Sequence, residues 1–254
     1  MTAATLLPRS KTSEAVAEFL LGEYLAGRIR PGDRIDLDRV ASDLGVSRAP
    51  VREALILLER DGSVRMPFHR GAFMGDIDAA AVREGFTLYA LLSGLTAELT
   101  TEHGDAETVA ALGVAADHAL ASRSAMEYEV HAREFRRLVN TGVAGPHLRS
   151  MLRTFNGLVV AVSGIAIEAG LGDEQRLLAA ELAAIRAGER GTAGAAAIDH
   201  VRATGERGIG VLVDRGVLAE SSAGDAGTGD EPAVSTLGAI VARVARVAAA
   251  GGAR

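Results

Sequence analysis

The chain has 254 residues, long enough for two domains, with 48% hydrophobic and 24% charged residues, a globular rather than a disordered balance. It has no cysteine and no tryptophan, which excludes disulfides, thiolate metal sites and a thiolate nucleophile and fits a reducing compartment. The net charge of −6 is unevenly spread: up to Gly75 there are 11 Lys and Arg against 10 Asp and Glu, and 16 against 23 beyond it, so a mildly positive module precedes an acidic body.

In chain order, Met1 to Ser10 reads as a mobile arm without the apolar core of a signal peptide. No run approaches the ~20 apolar residues needed to cross a bilayer, so no membrane is expected as a partner and the location expected is cytoplasmic. Lys11 to Ala26 is an amphipathic helix, with Val16, Phe19, Leu20 and Tyr24 on one face. Gly27 ends it, and GRIRPGDRI turns into a short strand. Arg28, Arg30 and Arg34 read as solvated surface charge, with one or two able to touch phosphate.

Asp36 is placed to cap a short helix carrying Leu37, Val40, Ala41 and Leu44 at helical spacing. Gly45 breaks it, because glycine takes the left-handed conformation without steric cost. Ser47 suits the cap of a second helix, Pro50 sits in its first turn, and Val51, Ala54, Leu55 and Leu58 form its buried stripe. Arg48 and Arg52, one turn apart, share a face at its start. Asp61-Gly62 makes a turn, and Ser63–Pro67 and Ala72–Gly75 read as two strands around a tip of Phe68, His69, Arg70 and Gly71.

GVSRAPVREAL, then LERDGSV, then HRGAF closely resemble the N-terminal domain of the GntR family of bacterial winged-helix transcription regulators, over roughly Ser13 to Phe73. The resemblance implies a head that binds double-stranded DNA over 11–75. Ser47 and the helix start would anchor the backbone, Arg48 and Arg52 would read base edges or phosphates, and His69, Arg70 and Gly71 would form the contacting wing. Ile35 and Leu37 would plug its small core.

From Asp76 onward every segment reads helical, beginning with an Asp cap in DIDAAAVREGF. The candidates are Ala79–Glu102, Ala106–Ala121, Ala125–Thr141, Gly145–Glu168, Asp173–Ala187 and Gly194–Arg215, punctuated by Gly170, Gly172, Gly188 and Gly191. The fold class expected is mainly α: an N-terminal winged helix-turn-helix and a C-terminal all-α bundle of six or seven helices over 76–220. REGFTLYALLSGLTAELT, HAREFRRLV, AGPHLRSML, AAIRAGE and AAAIDHV resemble, in order, the FadR-type effector domain known as FCD.

That resemblance implies an effector pocket, which in many FCD domains holds a divalent metal through one aspartate and three histidines. The corresponding positions here are Ala132, Arg136, Leu178 and His200. One imidazole does not hold a structural metal, so neither a metal of that type nor any cofactor is expected. Arg136 could instead grip a carboxylate or phosphate in a bidentate way, or it could face solvent or pair with Glu134 or Glu129. Leu92 stands where the family often has a cavity-facing arginine, which makes the pocket more apolar. Tyr89 could offer an aromatic wall and a hydroxyl or be a satisfied core tyrosine, and His200 could touch an effector or be a buried, hydrogen-bonded histidine. The stretch with Val159, Val160, Val162, Ile165 and Ile167 permits either a hydrophobic effector cavity or a closed core.

Ser221 to Ser235 reads as a flexible linker (221–235), and Thr236 to Ala249 as an amphipathic helix within the C-terminal segment 236–254. That helix could be disordered, docked on its own bundle or bound to a partner. The function expected is a ligand-responsive regulator acting as a homodimer on a palindromic operator, by default a repressor, in the bacterial cytoplasm at the nucleoid. Its small-molecule effector would be a carboxylate or a hydrophobic compound. An effector-independent regulator with a closed, metal-free helical domain is the alternative. With no H-E-x-x-H, Gly-rich phosphate loop or nucleophile motif, an enzyme is not expected.

Overall fold

The computed structural model describes residues 9–60 and 62–220. The expected linker over 221–235 and helix over 236–254, most of the N-terminal arm, and Asp61 of the expected turn lie outside the described residues.

The head is built from α1 (Arg9–Leu25), β1 (Arg34–Ile35), α2 (Leu37–Leu44), α3 (Arg48–Arg60), β2 (Val64–Arg65) and β3 (Ala72–Met74). α1 starts two residues earlier than its apolar pattern, within the expected arm. Asp36 caps α2 by accepting from the amides of Asp38 at 2.9 Å and Arg39 at 3.3 Å. Gly45 closes α2 in the left-handed region, at φ 63°, the conformation that lets α3 turn back across it. Val51, Ala54, Leu55 and Leu58 are buried on the inner face of α3, against Leu20 and Leu21 of α1. Full burial of each such leucine contributes about 1.5–3 kcal/mol.

The strands form one antiparallel sheet in the order β1-β3-β2, with Arg34 opposite Phe73 and Val64 opposite Met74. β2 is shorter than the expected Ser63–Pro67, since Pro67 has no N–H to give to a ladder. Ile35 is buried and Leu37 packs partly buried against the same core.

The body is α4 (Ala79–His103), α5 (Ala106–Ala121), α6 (Ala125–Thr141), α7 (Pro146–Arg186) and α8 (Arg190–Asp214). The side chains of Asp78, Asp105 and Ser124 cap the first three, whose ends match the sequence expectation to within a residue. α7 joins two expected helices. Gly172 stays helical, and among the described residues of α7 the backbone leaves helical geometry at Gly170 (φ −155°, ψ 53°). Arg207 packs close to this break: a Cβ on Gly170 would lie 2.6 Å from its Nε. α8 likewise begins before its expected start at Gly194, because Gly188 alone takes the left-handed turn (φ 70°) and Gly191 is absorbed into the helix.

α8 lies between α4 and α7. Close approach depends on small residues: a Cβ on Gly208 would meet Val162 Cγ1 at 2.5 Å and Val162 O at 2.8 Å. Head and body share one apolar core that runs from Val16 and Leu55 through Phe86 and Leu158 to Leu212. Tyr24 of α1 fastens the junction, donating to the carbonyl of Ile77 at 3.1 Å and accepting from its amide at 3.3 Å. No single described helix is long and apolar enough to cross a membrane.

Candidate nucleic-acid interface and internal cavity

α3 presents Arg48 and Arg52 on its exposed face, with exposed Ser47 directly before it. Arg48 is engaged within the head: its Nη2 donates to Asp38 Oδ2 at 2.7 Å and its Nε bonds to the other carboxylate oxygen. α2 therefore supplies a carboxylate partner to one of the two expected reading cations. The wing tip is exposed. His69 takes a left-handed conformation (φ 58°), followed by Gly71 at φ 89°, and the Arg70 amide donates back to Pro67 O at 3.0 Å. Two further residues named from the sequence stand beside these. Phe68 is 87% exposed at the tip. Arg34 lies against the wing, its Nε 3.3 Å from where a Cβ on Gly71 would stand. Arg28 is solvated and pairs with Glu23 at 2.6 Å.

The body encloses a cavity of about 340 Å³ walled by α4, α6, α7 and α8, with Glu18 of α1 at one side. Tyr89, Arg136 and His200 all line it, as does Ala132. Leu92 is not among its lining residues and packs partly buried against the apolar core.

Arg136 pairs with neither Glu134 nor Glu129. Its Nη1 and Nη2 donate to the two oxygens of Glu181 at 2.8 and 2.6 Å. Glu134 takes Arg137 and Glu129 takes Arg133 instead. An internal carboxylate thus fills the Arg136 fork. His200 is buried between two acids, Nδ1 2.9 Å from Glu181 and Nε2 3.5 Å from Glu174. Glu174 accepts from Thr204 Oγ1 at 2.9 Å and from Arg207.

Burial alone would raise the Glu181 pKa, but Arg136 and His200 outweigh it and hold the carboxyl below its ordinary range. Burial pulls the His200 pKa down, yet its hydrogen bonds to Glu174 and Glu181 win and leave it raised above 6.5. Arg136, His200 and Glu174 line the cavity and belong to an ionic chain, Arg136–Glu181–His200–Glu174–Arg207, in which each guanidinium has its own carboxylate. Tyr89 accepts from Asn140 Nδ2 at 2.8 Å. The hydroxyl of Tyr128, a residue 1% exposed, is buried without a hydrogen-bond partner among the described residues. No group of three or more His, Asp or Glu suited to a metal occurs among the described residues.

A helix-turn-helix with a three-stranded wing, carried on a helical body, is the architecture of a DNA-binding transcription regulator. Residues 12–74 match the sequence model of "Bacterial regulatory proteins, gntR family". An uncharacterized HTH-type transcriptional regulator of Mycobacterium tuberculosis (strain CDC 1551 / Oshkosh), MT0049, is 31% identical over 208 residues, which is 82% of this chain and 85% of that protein. The HTH-type transcriptional repressor RspR of Escherichia coli K12 is 33% identical over 86 residues, 34% of this chain and 38% of RspR. Among solved structures, E. coli McbR/YncC is similar with a TM-score of 0.62 at 19% identity, covering 83% of this chain and 99% of that one. A GntR regulator from Rhodococcus sp. RHA1 gives 0.52 at 21% identity, covering 81% and 98%. At those identities the likeness concerns fold alone. The chain belongs to the GntR family of bacterial regulatory proteins and is a DNA-binding transcription regulator.

Proposed function

We propose that the protein is an effector-responsive repressor of the FadR-type branch, with a DNA-binding head over 11–75 and an FCD-like body over 76–220, acting as a homodimer on a palindromic operator. α3 enters the major groove. Arg52 and Arg48 contact base edges or phosphates, Ser47 and the helix start anchor the backbone, and His69, Arg70 and Gly71 bring the wing to the adjacent groove, supported by Arg34. Repression follows from occlusion of the site, which needs no further contact.

The observation that carries the effector reading is the position of Glu18. It belongs to α1 of the head, lines the cavity, and bonds Arg133 of α6 at 3.1 Å. A molecule in the cavity touches both modules and can favour one arrangement of the heads over another, which is what a change in DNA affinity requires. An open cavity also speaks against the alternative of a closed, effector-independent body. The family's relatives are regulators, and the thin histidine supply favours a sensor over an enzyme.

In vitro selection of DNA by the full chain, followed by footprinting and light scattering, tests this reading. The expected result is a two-fold symmetric site bound by two protomers. A single unrepeated half-site bound by a monomer would refute it.

A further inference from the structure

The base of the wing is fixed, because Val64, Ala72 and Met74 are buried in the apolar core. Its tip, from Pro67 to Gly71, is exposed throughout. There the chain closes a four-residue turn, in which the Arg70 amide donates to Pro67 O at 3.0 Å. Phe68 takes the second position of that turn, at its apex. Of the large apolar side chains described, Phe68 is the most exposed. A phenyl ring left in water forfeits the burial that aromatic side chains otherwise supply.

His69, next in the chain, holds φ at 58°, in the left-handed region that non-glycine side chains rarely adopt. The strain is offset by what the imidazole touches. Its ring stands edge-on to Phe68, with centroids 3.9 Å apart and an interplanar angle of 61°. The contact braces the phenyl ring in advance and lowers the cost of ordering it on binding. The rim is cationic. Arg34 and Arg65 both lie opposite Phe73 in the sheet and share its exposed face. With Arg70 of the tip, they make no ion pair among the described residues. An apolar ring rimmed by unpaired cations suits a partner with rows of phosphate around an apolar interior, which is duplex DNA. The wing follows α3 directly in the chain, which ties the ring to DNA rather than to a protein partner.

Resting on the reading that the wing enters the groove beside α3, we propose that Phe68 is a wedge. Braced by His69, it inserts from the minor groove between two stacked base pairs, partly unstacks them and kinks the duplex. Arg34, Arg65 and Arg70 hold the phosphates on either side. A wedge favours the step that is cheapest to open, and pyrimidine–purine steps unstack most readily. Phe68 thereby sets a sequence preference at a position where no base edge is read.

The test uses the full chain and the duplex recovered by selection. Hydroxyl-radical cleavage first locates the minor-groove stretch that the wing protects. Two altered duplexes are then made, one with 2-aminopurine in that stretch and one with a stiff A-tract there. The parent should bend the duplex by roughly 20° or more at each wing, read as energy transfer between end labels, and should brighten the 2-aminopurine. F68A should lose both effects and bind about tenfold more weakly, at the parental melting temperature because the ring is exposed. F68L, still apolar, should retain part of the bend. The A-tract should weaken the parent by about tenfold and F68A hardly at all. R70A should weaken binding to both duplexes alike and reduce its salt dependence. A straight duplex with dim 2-aminopurine, under a wing that does protect the groove, would overturn the wedge and leave the wing contact standing. A minor groove unprotected in the parent would remove the wing contact itself. An A-tract penalty of equal size in F68A would also overturn the wedge. So would an F68A chain that bends and binds DNA as the parent does but changes its mass by light scattering, which assigns the ring to a protein contact.

Discussion

Arg136 and Glu181, 45 residues apart in the chain, meet through two parallel bonds of 2.8 and 2.6 Å inside the helical body. Arg136 stands where the family resemblance implies a metal-ligating histidine. Here a guanidinium supplies the positive charge, and its counter-charge comes from α7. The arrangement costs desolvation on both sides, and the body retains it only because each partner answers the other.

Removing one member should therefore be severe. The Arg136 side chain is 15% exposed and that of Glu181 is 0% exposed, so Glu181→Gln leaves an uncompensated buried charge. The expected loss is about 3–5 kcal/mol of stability by urea unfolding. The double change Arg136→Met with Glu181→Leu should recover most of it. If Glu181→Gln unfolds at the same urea concentration as the parent, the pair is not what holds this part of the body.

His200 should give the body a pH-dependent stability. Its pKa in the folded state is raised above 6.5, so its contribution is complete below the unfolded value and is lost as pH rises through the folded one. The groups that set this are Glu174 and Glu181 from α7, which raise the pKa, and Arg136 from α6, which lowers it. Melting temperature should fall in the parent as pH rises above the ordinary histidine range, and stay flatter in His200→Gln. Glu181 acts in the opposite direction. Its lowered pKa means that its contribution is present above the ordinary carboxylate range and is lost as pH falls through the lowered value. Parallel pH profiles for parent and His200→Gln would remove His200 from the account.

The Glu18–Arg133 bridge joins head and body at 3.1 Å, but its side chains are 32% and 45% exposed. Solvent screening limits its contribution to stability to less than about 1 kcal/mol. Glu18→Gln should therefore barely move the melting temperature. A clearly lowered melting temperature in Glu18→Gln would show that the bridge carries more of the contact between head and body than its exposure allows.

Asp38 holds Arg48 through both of its carboxylate oxygens. A carboxylate beside the reading helix also repels phosphate. Asp38→Asn should raise non-specific DNA affinity by roughly three- to tenfold, the size of one released contact, and steepen its salt dependence. It should also blur discrimination between operator and unrelated DNA, because Arg48 is no longer aimed. Weaker binding to both DNAs would mean that Asp38 is needed for the contact itself.

Local rules made much of the head legible in the sequence. Asp36 and Gly45 mark the ends of α2 by capping chemistry alone, and the apolar spacing of Val51, Leu55 and Leu58 marks the buried side of α3. The limits of α4, α5 and α6 were legible too, and the structure places side-chain caps at Asp78, Asp105 and Ser124. What could not be read locally was decided by long-range partners. The break at Gly170 lies against Arg207, 37 positions later. The partner of Arg136 was sought among nearby acids, yet it came from a different helix. A signal for it did exist: Glu174 and Glu181 are seven residues apart, so they share one face of α7, and Glu181 sits in the otherwise apolar run LLAAELAAI. An acid on a buried stripe requires a buried cation.

The central claim is that α3 reads DNA with Arg48 and Arg52, and the most direct measurement is the affinity of the full chain for its selected operator with those residues replaced. Each single change to alanine should cost about 1–3 kcal/mol if the lost contact is a bidentate base contact, and the double change should bring operator affinity close to that for unrelated DNA. Operator binding by Arg48→Ala/Arg52→Ala at the parental affinity, with the fold intact by circular dichroism, would contradict the claim.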